Sequence, residues 1–130
     1  MITGIGIDIV QIQRMEHWLT NTKLLERFFH TDELVIVSNK EKNAAQRQAA
    51  SQRLAARFAA KEAFGKALGT GLANINLKDI IVINNENGKP EVKLTGTARK
   101  AMEKSGADKV HISLSHEKEN AIAMIVLEGA

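Results

Sequence analysis

Two short segments place charged side chains where ordinary structural patterns do not predict them. In FAAKEAFGKALGTG, residues 58–71, Glu62 and Lys66 are four positions apart within an alanine-rich stretch that predicts a helix. In MITGIGIDIV, residues 1–10, Asp8 interrupts a strand-like alternation of isoleucines, although strand interiors disfavour aspartate. A carboxylate from a strand and one from a helix can bind Mg²⁺, which takes oxygen ligands and is usually completed by substrate phosphates. With cations nearby, this composition suits the chemistry of a phosphate ester.

Each segment also has a purely structural interpretation. Glu62 and Lys66 have the spacing of a helix-surface salt bridge, and Lys66 lies near the predicted C-terminus, where a cation suits the helix dipole. Asp8 could instead be the N-cap of a helix that begins a few residues later. A helical projection of residues 54–68 favours a functional interpretation, because apolar residues surround the helix almost completely. Charges on a buried helix need partners or a ligand.

A third candidate is His116, which ends the segment HISLSH at a predicted hairpin turn, where a side chain can reach a ligand. A histidine in a turn can also be merely solvated. The residues around it show no Ser–His–acid signature of a hydrolase. The four histidines of the chain lack zinc-ligand spacing. The absence of cysteine excludes disulfides, thiolate zinc sites and cysteine nucleophiles.

The hydrophobic periodicity predicts the elements that must position these residues. Helices are predicted at 12–19, 23–29, from an N-cap at Thr31 to about Val37, from about Asn43 to Leu68 with the glycines of Gly69-Thr70-Gly71 as its C-terminal cap, and at 97–105. Strands are predicted at 2–10, 80–83, 91–94, 110–115 and 121–127. This order predicts an α+β fold, a single domain over residues 1–130 with a mainly antiparallel sheet packed against a long central helix.

Composition limits the class of protein. The net charge of +3 fits an acidic partner or a phosphate-bearing ligand. A small basic nucleic-acid-binding module is disfavoured, because aromatic residues are scarce and no Lys/Arg run occurs. No apolar run approaches the roughly 20 residues of a membrane span, and the N-terminus lacks the features of a signal peptide. We therefore expect a cytoplasmic protein that binds neither nucleic acid nor a membrane.

Three segments in order resemble the holo-acyl-carrier-protein synthase family, the short 4′-phosphopantetheinyl transferases. They are GIGIDIVQIQR at the N-terminus, RFAAKEAFGKALGTG in the middle, and HISLSH followed by AIAMIVLE near the end. Their order, spacing and the total length all fit, so the resemblance covers essentially the whole chain. It implies transfer of the 4′-phosphopantetheine group from coenzyme A to a serine of an apo acyl carrier protein, a step in fatty acid biosynthesis. Adenosine 3′,5′-bisphosphate is the implied second product.

The resemblance implies roles for matching residues. Asp8 and Glu62 are the implied Mg²⁺ ligands, completed by the pyrophosphate of coenzyme A, and Lys66 matches a lysine that contacts the phosphates. Arg57 and His116 match residues that hold the 3′-phosphate end of coenzyme A. The serine proton can be accepted by Glu62 or by a magnesium-associated water, and the sequence does not choose between them.

Partners are also implied by the resemblance. The family acts as a trimer with each active site at a subunit interface, and its first helix contacts the acidic helix of the carrier protein. In this chain that helix carries Arg14 and Trp18 as expected docking residues, with Met15 at helical spacing. Met15 and Trp18 can alternatively be core residues. Lys61 matches a motif lysine whose role the sequence leaves open.

One further enzyme class shares the predicted site. A magnesium-dependent hydrolase of nucleotide pyrophosphates would use the same carboxylates and cations but would activate water. Such an enzyme would release adenosine 3′,5′-bisphosphate from coenzyme A without any carrier protein.

Overall fold

A computed structural model describes residues 1–35 and 43–130. Its strands are β1 (Ile2–Gln11), β2 (Ile80–Asn84), β3 (Pro90–Leu94), β4 (Ala107–His116) and β5 (Asn120–Gly129). Its helices are α1 (Ile12–Glu16), α2 (Thr22–Phe28), α3 (Thr31–Leu34), α4 (Ala44–Leu68) and α5 (Gly96–Ser105). The described strands form an antiparallel sheet in the order β1-β5-β4 and an antiparallel β2–β3 hairpin. The predicted α+β fold with a long central helix is confirmed.

The central helix α4 is enclosed on most of its circumference. Asn43 caps its N-terminus by accepting a hydrogen bond from the Gln46 amide, and Gly69 ends it in the left-handed conformation. From Leu54 to Lys61 every residue is buried, including Arg57 and Lys61. The predicted burial does not extend to Lys66, which is exposed, and Glu62 is half-buried. A solvated strip therefore exists along this helix, contrary to the helical projection.

Strand β1 lies directly against α4 because glycines face the helix. A Cβ added at Gly6 would lie 1.9 Å from the Ala63 carbonyl oxygen, and one at Gly4 would lie 1.8 Å from that of Ala67. The glycines of the N-terminal segment thus allow the backbone of α4 to approach β1 closely. This contact places Asp8, on the same face of β1, beside α4.

We expect Gly6→Ala to lower the free energy of unfolding by about 3 kcal/mol or more, because the rigid backbone of α4 cannot yield to a new methyl group. Urea denaturation measures this change. Gly106→Ala is the control. That glycine has a left-handed φ of 85° but open space around it, so the expected loss is only about 1 kcal/mol. Equal losses in the two variants would contradict the close packing of β1 on α4.

The first helices pack an aromatic cluster against α4. Trp18 follows α1 in a 3-10 turn over His17–Thr20 and stacks on Phe28 with ring centroids 5.4 Å apart. Phe58 of α4 meets Trp18 edge-to-face at 5.5 Å. The predicted helix at 12–19 is therefore two shorter helical pieces. None of the helices within the described ranges is long and apolar enough to cross a membrane.

The N-terminus of α3 differs from its prediction. His30 rather than Thr31 is the N-cap, and its ring accepts a hydrogen bond from the Asp32 amide. Glu33 completes a capping box by accepting from the His30 amide at 3.0 Å. The helix ends at Leu34, and the predicted end near Val37 lies outside the described residues.

A carboxylate from the 3-10 turn that precedes β2, Leu77–Asp79, caps helix α5 from across the β2–β3 hairpin. Asp79 accepts hydrogen bonds from the Thr97 amide at 2.8 Å, the Thr97 hydroxyl at 2.6 Å and the Thr95 hydroxyl at 3.1 Å. Partial burial works to raise the pKa of Asp79, but these hydrogen bonds outweigh it and hold the pKa below the ordinary value. The ionised carboxylate therefore stabilises the junction between β2, β3 and α5.

We expect Asp79→Asn to cost about 1 kcal/mol of unfolding free energy at pH 7, as loss of a charged helix cap does. Because the pKa of Asp79 is lower in the folded chain, its contribution is present above the ordinary pKa of 3.8 and is lost as the pH falls through the folded value. The gap between variant and wild type should therefore close in acid. Thermal unfolding between pH 7 and pH 3 measures it, with Asp108→Asn on β4 as a control for net charge. A gap that does not change with pH would contradict this role.

Candidate active site

The contact between β1 and α4 brings three of the predicted site residues together. Asp8 Oδ1 accepts a hydrogen bond from Lys66 Nζ at 2.9 Å, and Lys66 also donates to the Ile7 carbonyl at 3.0 Å. Asp8 is therefore not an N-cap: Gln11 holds that position in α1, with no side-chain cap bond. The ion pair observed for Lys66 is with Asp8 rather than with Glu62, so the alternative interpretation of Glu62 and Lys66 as a helix-surface salt bridge is wrong.

Glu62 is electrostatically coupled to the same group of residues. Burial raises its pKa first, the negative charge of Asp8 raises it further, and the positive charges of Arg14 and Lys66 oppose the rise. Two carboxylates that repel each other at a half-buried position gain from a shared cation. The described residues contain no group of three or more His, Asp or Glu side chains able to hold a metal. A two-carboxylate donor set fits Mg²⁺, which takes its remaining oxygen ligands from water and phosphate.

Arg57 and His116 meet in a different cavity. The space has a volume of about 340 Å³ and lies between α4, the end of β4 and the turn of the β2–β3 hairpin. Its lining includes two arginines, a histidine and three residues of the hairpin: Arg53, Arg57, His116, Asn84, Gly88 and Pro90. No sequence pattern indicated a binding role for the hairpin residues, which were predicted only as strand ends and the turn between them.

Arg57 is a buried cation whose charge is only partly compensated. It is 4% exposed, and its guanidinium donates to the Val82 carbonyl at 3.2 Å and to the Arg53 carbonyl at 3.3 Å. Burial lowers its pKa, and the charge of Glu33 opposes this effect from a distance. Within residues 1–35 and 43–130 no carboxylate lies at ion-pair distance from Arg57. An anion that enters the cavity would meet a desolvated guanidinium.

The two groups of residues point to different sides of α4. Arg57 and Glu62 are five positions apart, so at 100° per residue their directions differ by about 140°. The cavity that holds Arg57 and His116 is lined by none of Asp8, Glu62 and Lys66. The described residues of one chain therefore form two separate partial sites.

The structure assigns Lys61 to the interior. It is 0% exposed, and its Nζ donates to Glu33 Oε1 at 2.7 Å, to the Leu77 carbonyl at 2.9 Å and to the Ile80 carbonyl. These three acceptors use all three donors of an ammonium group. Burial lowers the pKa of Lys61 and the contact with Glu33 opposes that shift. No sequence pattern indicated the ion pair of Glu33 with Lys61, because Glu33 was predicted only as part of the first turn of a helix.

The expected docking residues have different environments. Arg14 is exposed, with its guanidinium 5.5 Å from the centre of the Phe58 ring. Trp18 is 8% exposed within the aromatic cluster, and Met15 is fully buried. Their burial agrees with the alternative interpretation of both as core residues. A docking role stays a prediction and depends on Arg14.

Comparison with known proteins decides the family. The model of the 4′-phosphopantetheinyl transferase superfamily matches residues 4–125. The chain belongs to this superfamily. It is 54% identical over 129 residues to a holo-(acyl-carrier-protein) synthase of Treponema denticola, a match that covers 99% of this chain and 100% of the relative. Relatives of this kind confirm the resemblance found in the sequence and identify the chain as a phosphopantetheinyl transferase that acts on acyl carrier protein.

Solved structures of the same family have the same fold. The Bacillus anthracis synthase, crystallised in complex with CoA (3′,5′-ADP), is 37% identical with a TM-score of 0.74, over 100% of this chain and 99% of that one. The Helicobacter pylori synthase, crystallised with coenzyme A, is 31% identical with a TM-score of 0.77, over 95% of this chain and 99% of that one.

Proposed function

We propose that this phosphopantetheinyl transferase uses coenzyme A as donor and Mg²⁺ as cofactor. The main support for this proposal is that two carboxylates, Asp8 and Glu62, are electrostatically coupled at the β1–α4 contact, beside the cation of Lys66. In the proposed reaction, a serine hydroxyl of apo acyl carrier protein attacks the β-phosphorus of coenzyme A. The bond between that phosphorus and the bridging oxygen breaks, and adenosine 3′,5′-bisphosphate leaves. Holo acyl carrier protein, for fatty acid biosynthesis, is the other product.

Each residue has a physical task in this reaction. Asp8 and Glu62 would hold Mg²⁺, which when bound supplies positive charge to the pyrophosphate and to the departing phosphate. Lys66 is exposed and attached to a flexible stem, so it can turn from Asp8 to the phosphate oxygens once another cation neutralises Asp8. The serine proton passes to Glu62 or to a water. Arg57 and His116 would hold the 3′-phosphate in the other cavity.

We further propose that a homotrimer assembles each active site from two chains. Support comes first from the two partial sites on different sides of α4. A second observation is the outer face of the β1-β5-β4 sheet, where large apolar side chains are exposed on neighbouring strands: Ile5, Ile7, Ile9, Ile122 and Met124. Exposed apolar patches of this kind commonly mark protein interfaces. A cytoplasmic location stays a prediction.

Incubation with coenzyme A and Mg²⁺, with and without apo acyl carrier protein, tests the proposed reaction against pyrophosphate hydrolysis. The transferase releases adenosine 3′,5′-bisphosphate only when the carrier protein is present. Chromatographic detection of that nucleotide in the absence of carrier protein would favour the hydrolase.

We expect Arg14→Glu to raise the KM for apo acyl carrier protein by about tenfold, because an exposed cation at a docking surface steers an acidic partner. The KM for coenzyme A should change by less than about twofold. Since Arg14 also acts on the charge of Glu62, the assay uses saturating Mg²⁺. Arg99→Glu on α5 is the control for net charge. Equal increases in both KM values would contradict a docking role for Arg14.

A further inference from the structure

Three charged side chains bind the open edge of β2. Among the described strands β2 pairs only with β3, and its other edge faces α3 and α4. The Ile80 carbonyl accepts from Lys61 Nζ, the Val82 amide donates to Glu33 Oε2 at 3.1 Å, and the Val82 carbonyl accepts from Arg57 Nε at 3.2 Å. These backbone groups share one edge because they belong to alternate residues of a strand. Side chains therefore occupy the place of a neighbouring strand.

Glu33 is the centre of this arrangement. It is 1% exposed, and its Oε1 accepts from Lys61 Nζ at 2.7 Å and from the His30 amide at 3.0 Å. With Val82 on the other oxygen, the carboxylate has three donors and no contact with solvent. Such a pair contributes little net stability when desolvation is included, so its value lies in fixing a geometry.

The pair of Glu33 and Lys61 fixes the geometry of the cavity that contains Arg57 and His116. Arg57 is anchored on Val82, whose amide is anchored on Glu33. Beyond Val82, β2 continues to Asn84, which lines the cavity together with the other end of the hairpin turn. A shift of β2 along α4 would therefore move both the arginine and the hairpin wall of the cavity.

We propose that Glu33 and Lys61 are positioning residues for coenzyme A, which clamp the β2–β3 hairpin to α4 and thereby hold Arg57 in place for the 3′-phosphate. The proposal rests on the proposed function, in which Arg57 contacts that phosphate. Both residues are fully buried, so they act on coenzyme A only through Arg57 and the hairpin. Their charges cancel, so the cluster of Glu33, Lys61 and Arg57 keeps a net charge of one positive unit for the incoming anion.

The test compares coenzyme A with dephospho-coenzyme A, which lacks the 3′-phosphate. The variant is Glu33→Gln/Lys61→Met, because removal of both partners avoids an unpaired buried charge. We expect the KM for coenzyme A to rise about tenfold, with kcat within about twofold and the KM for dephospho-coenzyme A unchanged. Glu103→Gln/Lys100→Met, at exposed positions of α5, removes the same charges and should match the wild type.

The kinetic results distinguish a failure of the clamp from a failure of the proposed function on which it rests. If Arg57→Gln loses the preference for coenzyme A while the double variant keeps it, the clamp is wrong and the phosphate site stands. If the wild type has no preference for coenzyme A over dephospho-coenzyme A, the assignment of Arg57 is wrong and the clamp fails with it. A purely structural role would instead raise both KM values together.

A measurement on the wild type tests the proposal even if the double variant does not fold. Adenosine 3′,5′-bisphosphate should slow hydrogen exchange of the Val82 amide more than adenosine 5′-monophosphate does, because only the former engages Arg57 through a 3′-phosphate. Equal exchange rates with the two nucleotides would overturn the proposal.

Discussion

Glu62→Gln should fold like the wild type and lose at least about 100-fold in magnesium-dependent kcat. Asp8→Asn should do the same. Each substitution removes one of the two charged oxygen donors that the β1–α4 contact brings together, and the described residues offer no third carboxylate to replace it. Folding is expected to survive because Glu62 and Asp8 are half-buried and repel each other. Steady-state kinetics at varied Mg²⁺, together with thermal unfolding, measure both quantities.

The dependence on Mg²⁺ distinguishes a metal ligand from a residue that merely sits nearby. Activity of each variant should recover partly at high Mg²⁺, because the other carboxylate and the substrate phosphates still bind the ion. Glu103→Gln, at an exposed position of α5, is the matched control and should keep the wild-type Mg²⁺ dependence. Wild-type turnover of Glu62→Gln or Asp8→Asn at limiting Mg²⁺ would contradict the assignment of that residue.

Arg57→Gln should raise the KM for coenzyme A by about 10- to 100-fold, since a charge-assisted hydrogen bond to phosphate is worth about 1.5–3 kcal/mol. The guanidinium is 4% exposed, lines the cavity with His116 and meets no carboxylate among the described residues. No ion pair among the described residues therefore has to break for this charge to bind an anion. Initial rates with coenzyme A and with dephospho-coenzyme A measure the effect.

The 3′-phosphate gives this prediction its specificity. Loss of Arg57 should leave the KM for dephospho-coenzyme A within about twofold of the wild type, because that substrate has no group for the guanidinium. Arg99→Gln on α5, an exposed position, controls for the loss of one positive charge. A similar increase for both substrates would show that Arg57 supports the fold of the cavity rather than the phosphate.

The order of strands and helices was predictable because periodicity, caps and turns agree along most of the chain. The long helix from about Asn43 to Leu68 was predicted with its C-terminal glycine, and the structure has a helix at Ala44–Leu68 that ends at Gly69. Short elements were less predictable. At the start of α3, Thr31 is of a residue type that commonly caps helices. His30 is nevertheless the N-cap, although histidine is an uncommon capping residue.

The site residues were predictable where a residue type is unusual in the strand or helix that contains it. Asp8 in a strand and the charges in an apolar helix were both recognisable as exceptions, and Asp8, Glu62 and Lys66 do lie together. The burial of individual charges was not predictable. Lys61 and Lys66 look alike in the sequence, yet one is fully buried and the other exposed. That difference depends on Glu33, 28 residues away from Lys61 in the chain, which no local pattern connects to it.

Magnesium-dependent transfer can be measured directly by mass spectrometry of an apo acyl carrier protein incubated with this protein, coenzyme A and Mg²⁺. We expect the carrier protein to gain the mass of one 4′-phosphopantetheine group, and a carrier protein with its acceptor serine replaced to gain nothing. The gain should depend on Mg²⁺ and should disappear with Glu62→Gln on the time scale of the wild-type reaction. A carrier protein of unchanged mass, or one modified equally after removal of Mg²⁺ by a chelator, would contradict the proposed function.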